Sequence, residues 1–185
     1  TSIMLLTVNA VYGQIDTTKT LYTSLKKAVS TPLTVYRLQI SDPAEILELS
    51  DLSKLKNLEY LSLKGDKLAV FPNQLLSLEK LRVLDLSDND FTNFPEEFSQ
   101  LVMLEELYLN RDSKLDFSQV FSVIGKLPKL RVLQLNELSI RELPEGISNL
   151  RGLQVLTLRN DSLLTLPESI SKLTALQTLD LGGNA

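Results

Sequence analysis

From Val35 onward, apolar and polar positions recur along the chain with a fixed period. The windows LRVLDLSDNDFTNFPEEFSQL (81–101), LRVLQLNELSIRELPEGISNL (130–150) and LQVLTLRNDSLLTLPESISKL (153–173) keep leucines at the same offsets while the residues between them vary. Units begin at Val35, Leu58, Leu81, Leu104, Leu130, Leu153 and Leu176, spaced 23, 23, 23, 26, 23 and 23. A period of this length predicts stacked units rather than independent elements. The front of each unit alternates, as in Leu81, Leu84 and Leu86 with Val83, Asp85 and Ser87 between them. That is a short strand with one buried face. A turn position follows, held by Asp66, Asn89, Asp112, Asp161 and Asn184. Then come Phe71-Pro72, Phe94-Pro95, Leu143-Pro144 and Leu166-Pro167. Proline there forbids a ladder strand and sets an extended entry into the return segment. The pairs Leu75/Leu78, Phe98/Leu101, Ile147/Leu150 and Ile170/Leu173 close each unit at the spacing of one helical turn.

Strand, turn and return make one lap of a coil. One lap holds about seven inward apolar side chains, each worth ~1.5–3 kcal/mol when buried. Ordering costs ~1–2 kcal/mol for every backbone residue, so a lap is stable only when its neighbours bury its flanks. Before the laps, DTTKTLYTSLKKAVS (16–30) places Leu21, Leu25, Ala28 and Val29 on one helical face, with Asp16 or Thr17 as N-cap and Pro32 beyond the far end. The expected organisation is residues 1–13 apart, a capping helix within 14–34, and the coil over 35–185 as about six laps and a truncated seventh. The first lap departs from the pattern, with Pro43 at the turn and Ile46 and Leu49 one residue late. The fourth has three extra residues and no Leu-Pro step, so its outer side should bulge.

Composition narrows the chemistry. The 185 residues carry a net charge of −4 and include no Cys and no His. Disulfides, thiolate nucleophiles, imidazole bases and the usual zinc ligands are therefore excluded, and nucleic acid is a poor partner for an acidic chain. No stretch reaches the ~20 apolar residues of a membrane span. The start, TSIMLLTVNAVYGQ, resembles the tail of a signal peptide cut before Gln14, with Val11 and Gly13 as the small residues. The last lap stops at Ala185 without a return segment, which suggests a piece of a longer protein.

These residues resemble the leucine-rich repeat pattern LxxLxLxxNxL followed by xxLPxxIxxLxx, over residues 35–185. The Leu-Pro step is similar to the 23-residue class of Ras-group adaptors, plant disease-resistance-like proteins and many bacterial repeat proteins. The resemblance implies an α/β fold: a right-handed solenoid, or horseshoe, with a parallel concave sheet, short helical or 3-10 turns on the convex side and an N-terminal capping helix. It also implies protein binding through the concave sheet. In that family the turn position is an Asn that both donates and accepts between laps. Here Asp66, Asp112 and Asp161 only accept unless protonated, and Leu138 does neither. A looser stack than an all-Asn ladder is expected, weakest at Leu138.

The outward strand positions are the candidate binding set: Arg37, Tyr60, Ser62, Lys64, Val83, Asp85, Glu106, Tyr108, Asn110, Val132, Gln134, Asn136, Val155, Thr157 and Arg159. Tyr60, Val83, Val132 and Val155 should form an exposed, broken apolar ridge flanked by Tyr108, Asn110, Asn136 and Arg159. Aromatics, Arg and amides are the composition of a protein-binding surface. Asp85, Asp88, Asp90, Glu105 and Glu106 make an acidic patch, but a solvated repeating face has no pocket in which to tune them for catalysis. The expectation is a non-enzymatic module without cofactor or metal, exported or on the surface of a bacterium, binding a protein or peptide. Its oligomeric state is open. The alternatives are a cytoplasmic Ras-group-type adaptor and the sensing arm of an enzyme whose catalytic domain lies beyond Ala185.

Overall fold

The computed structural model describes residues 16–42, 45 and 49–185. The signal-like segment 1–13, and Pro43 and Ile46 of the first lap, lie outside them. Eight strands form one parallel sheet in chain order: β1 (Leu21–Tyr22), β2 (Arg37–Gln39), β3 (Tyr60–Ser62), β4 (Val83–Asp85), β5 (Glu106–Tyr108), β6 (Val132–Gln134), β7 (Val155–Thr157) and β8 (Thr178–Asp180). Register never slips, so Leu38, Leu61, Leu84, Leu107, Leu133, Leu156 and Leu179 lie side by side as one spine. The result is a right-handed solenoid with the sheet on its concave side and short 3-10 turns behind.

The return segments follow from the Pro step. Pro72, Pro95, Pro144 and Pro167 each hold φ between −75 and −63° and sit at the N-cap of a 3-10 helix. In each lap the Pro carbonyl accepts from the amide three residues on: Leu75, Phe98, Ile147 and Ile170. Ser77, Ser99, Ser148 and Ser171 donate back to the carbonyl three residues earlier at 2.8–2.9 Å, which tightens each turn. Inside, Phe71, Phe91, Phe94 and Phe98 meet as one aromatic cluster, with Phe94 and Phe98 stacked at 4.8 Å.

Two segments depart from the sequence expectation. The helix expected within 16–30 is confined to α1 (Leu25–Ala28), capped by Ser24, while Leu21 and Tyr22 form β1. The open edge of β2 offers unpaired backbone groups, and pairing with them displaces the first turns of a helix. Leu25 and Ala28 are buried in the core, and Glu45 accepts from Ser24 Oγ and Leu25 N–H at 2.6 Å each. The bulge in the fourth lap is a helix, α2 (Phe117–Ile124), capped by Asp116. It buries Val120, Phe121, Val123 and Ile124 where the other laps use a 3-10 turn.

One backbone column follows no residue type. Gly65, Asp88, Arg111, Glu137, Asn160 and Gly183 all have φ between 57 and 84°. Their spacing is that of the laps, one position before the turn column. In all but the last, the N–H donates across to a carbonyl of the next lap, namely Ser87, Asn110, Asn136, Arg159 and Gly182. The left-handed bend follows that amide at once and turns the chain out of the strand direction.

Candidate functional site

Register sorts the outward strand residues into columns. Arg37, Tyr60, Val83, Glu106, Val132 and Val155 are successive partners across the sheet. The exposed ridge expected there is corrected: Val83 is 2%, Glu106 2%, Val132 0% and Val155 1% accessible. Strands lie only ~4.8 Å apart, so short side chains are covered by longer neighbours. Tyr108 packs on Val132 and Val155, and its hydroxyl donates to Glu106 Oε2. Arg37 is engaged as well. Its Nη1 donates to the carbonyls of Thr17 (3.4 Å) and Lys19 (3.3 Å), and its guanidinium lies over the Tyr60 ring at 5.6 Å.

The next column runs Ser62, Asp85, Tyr108, Gln134 and Thr157. Ser62 and Thr157 are buried, whereas Asp85, Tyr108 and Gln134 stand half-open beside one another. Burial, with Asp85 close by, raises the Tyr60 pKa above the ordinary phenol value. The binding set therefore keeps two aromatic features, Tyr60 and Tyr108, with Asp85 and Gln134 alongside.

The third column is a hydrogen-bonded rail. Asn110 N–H donates to Ser87 Oγ (3.2 Å), Asn136 N–H to Asn110 Oδ1 (2.9 Å) and Arg159 N–H to Asn136 Oδ1 (2.8 Å). Asn110 Nδ2 reaches Ser87 Oγ and Gln134 Oε1. The amides read from the sequence as ligand contacts are thus also scaffold, each closing the strand end of the following lap. Lys64 and Arg159 remain exposed, the latter paired with Asp180 at 3.3 Å. Lys64, Ser87, Asn110, Arg111, Asn136 and Glu137 line a cleft of about 150 Å³.

A further column, just before the strands, was not singled out from the sequence. Glu59, Arg82, Glu105 and Arg131 alternate in sign from lap to lap. Lys19 pairs with Glu59 at 3.1 Å, and Arg82 meets Glu105 through two bonds of 3.1 and 3.0 Å. Arg131 binds the same Glu105 carboxylate from the other side. Burial opposes ionisation of Glu105, but the hydrogen bonds from Arg82 and Arg131 outweigh it and hold the pKa below the usual range. Opposite charges one period apart were the signal available in the sequence.

An open, ordered sheet with a mixed polar and aromatic surface is suited to noncovalent contact over many side chains. Sequence comparison agrees with the architecture. A leucine-rich repeat sequence model matches residues 56–113, and a second, for a leucine-rich repeat region, matches 114–185. The chain belongs to the leucine-rich repeat family. No curated protein sequence matches it. Among solved structures, a leucine-rich repeat protein of Leptospira interrogans is 26% identical, with a TM-score of 0.59 over 89% of this chain and 53% of that one. Internalin C2 of Listeria monocytogenes is 21% identical, with a TM-score of 0.67 over 86% and 66%. The Toll–Spätzle complex of Drosophila gives 16% and 0.70 over 89% and 22%. The chain spans about half the length of the Leptospira protein. Among the described residues no helix is long and apolar enough to cross a membrane.

Proposed function

We propose that the chain is a non-catalytic binding module whose concave sheet takes a protein or peptide, centred on Tyr60, Asp85, Tyr108 and Gln134. The observation that carries this reading is the unbroken register of the sheet, which sets these side chains side by side on one open face. Half-open aromatics beside polar groups are the mixture that forms the energetic centre of protein interfaces. The Toll–Spätzle complex and a plant peptide hormone receptor bound to its peptide, both built on this fold, support a protein or peptide ligand. The Pro-capped 3-10 turns favour the 23-residue Leu-Pro class. Neighbours from Leptospira and Listeria favour a bacterial, exported or surface-held protein.

Photo-crosslinking tests the reading. A crosslinking residue at Gln134 should capture a discrete protein partner, one at the convex Glu97 should not, and Asp85→Arg should abolish the Gln134 product. Equal capture from both faces, or a product unaffected by Asp85→Arg, would refute the concave assignment.

A further inference from the structure

The turn column holds two kinds of residue in one geometry. Asn89 Oδ1 accepts from Leu68 N–H at 2.9 Å, and its Nδ2 donates to the carbonyls of Leu63 (2.9 Å) and Leu86 (2.6 Å). Asn184 repeats this arrangement. Its Oδ1 accepts from Asp161 and Leu163, and its Nδ2 donates to Leu158 and Leu181. In both cases the amide reaches the carbonyls 26 and 3 residues earlier.

Asp112 and Asp161 stand in the same column, and neither is accessible to solvent. Asp112 Oδ1 accepts from Asn89 N–H and Asp161 Oδ1 from Leu138 N–H, each at 2.6 Å. Oδ1 therefore takes the accepting role of the asparagine oxygen. Oδ2 is left buried without a partner in both residues, at the place where asparagine carries its amide. The carbonyls at the same offsets, 26 and 3 residues earlier, are those of Leu86 and Leu109 for Asp112, and of Leu135 and Leu158 for Asp161. An anionic oxygen there would meet carbonyl oxygens in a buried site, whereas a carboxylic acid carries the missing donor.

We propose that Asp112 and Asp161 are neutral acids in the folded chain, each donating its Oδ2 proton to main-chain carbonyls in place of an asparagine amide, which makes the turn column a pH-sensitive seam between laps.

The surrounding charges agree. Burial raises the Asp112 pKa to about 7, with Asp85, Asp88 and Asp90 adding to it against the bond from Asn89. Lys67 and Lys114 are paired with Asp88 and Asp90. Burial likewise raises Asp161 to about 6, opposed by the amides of Leu138 and Ser139 and aided by Glu137. Glu137 is held by Arg111, and Arg159 on the next turn by Asp180. Because the folded pKa values lie above the unfolded ones, this contribution is complete below the unfolded value, and it is lost as pH rises through about 6 to 7.

Carbon-detected NMR of the side-chain carboxyls in the unmodified chain reads the protonation directly. Titration of Asp161 at about pH 6 and of Asp112 at about pH 7 is expected, and midpoints below about 4 would overturn the assignment. The urea midpoint should also fall between about pH 5 and 8 in the wild type. In the double variant Asp112→Asn, Asp161→Asn the fall should shrink to the part left by Asp66, whose carboxyl burial also raises to about 6, and the midpoint should exceed the wild-type value at the alkaline end. A double variant that kept the full wild-type slope, or that failed to fold although Asn already serves at 89 and 184, would overturn the proposal as well.

Discussion

Gln119 and Phe94 pair as two backbone segments would. The Gln119 Nε2 donates to the Phe94 carbonyl at 2.8 Å, and its Oε1 accepts from the Phe94 N–H at 3.3 Å. The side chain reaches from α2 to the preceding lap and satisfies both polar groups of a residue whose ring is buried in the aromatic cluster. Gln119→Ala should leave both groups without a partner and cost about 1–3 kcal/mol. Gln119→Glu should keep the accepting half of the pair alone and fall between. Urea unfolding of the three proteins checks the order, and a neutral Gln119→Ala would show that water replaces the bridge.

Gly125 ends α2 against the next return segment. A Cβ built there would lie 2.6 Å from Asn149 Cβ and 2.7 Å from the Phe121 carbonyl oxygen. Its φ of −62° is ordinary, so space rather than backbone conformation demands the glycine. Gly125→Ala should destabilise by about 1–3 kcal/mol through overpacking, and Asn149→Gly in the same chain should recover part of the loss. Calorimetric midpoints of the single and double variants decide this. Full additivity of the two losses would place the clash elsewhere.

Glu105 gives a pH prediction of opposite sign to that of the turn column. Its pKa lies below the ordinary Glu value, so its contribution is present above the unfolded pKa and disappears as pH falls through the folded one. Glu105→Gln should cost about 1–3 kcal/mol at about pH 7, with Arg82 and Arg131 left half-buried without their anion. The deficit should shrink toward zero below about pH 4. Stability curves measured across that range test it, and a deficit independent of pH would mean that packing, not charge, sets the cost.

The left-handed column predicts unusual tolerance. Asn160 has φ 57° and is exposed. Asn160→Gly should leave stability within about 0.5 kcal/mol of the wild type, whereas Asn160→Val should cost about 1–3 kcal/mol, because a β-branched residue is strained in that region. A thermal melt that ranks Val with Gly would remove the strain argument.

The sequence made the laps, their strands and the Pro turns legible because all three rest on buried side chains, and burial repeats. Leu84 and Leu133 must face inward whatever stands beside them. The left-handed column escaped notice because its work is done by backbone amides, so Gly65, Arg111 and Glu137 serve alike. Leu21 and Tyr22 were misplaced into a helix because their apolar spacing fits one, while the open edge of β2 was invisible before folding. On the concave face the alternation read from the sequence set which residues share a column. The burial of Val132 and Val155 under Tyr108 was not legible, since it depends on which neighbour is long enough to cover them. At Leu138, where the loosest join was expected, the side chain enters the core and the N–H is held by Asp161.

The alternating column Glu59, Arg82, Glu105, Arg131 also tells the laps apart. The leucine spine is almost identical from lap to lap, so apolar contacts alone barely distinguish a lap's true neighbour from the one beyond it. If folding skipped the lap of Glu105, Arg82 would face Arg131, and if it skipped the lap of Arg82, Glu59 would face Glu105. Like charges directly opposite on neighbouring strands are destabilising, and misassembly is the characteristic failure of repeat chains. The rail of ion pairs thus acts as a parity check on counting in the middle of the coil: it is satisfied when each lap follows its predecessor and violated when the lap of Arg82 or that of Glu105 is left out.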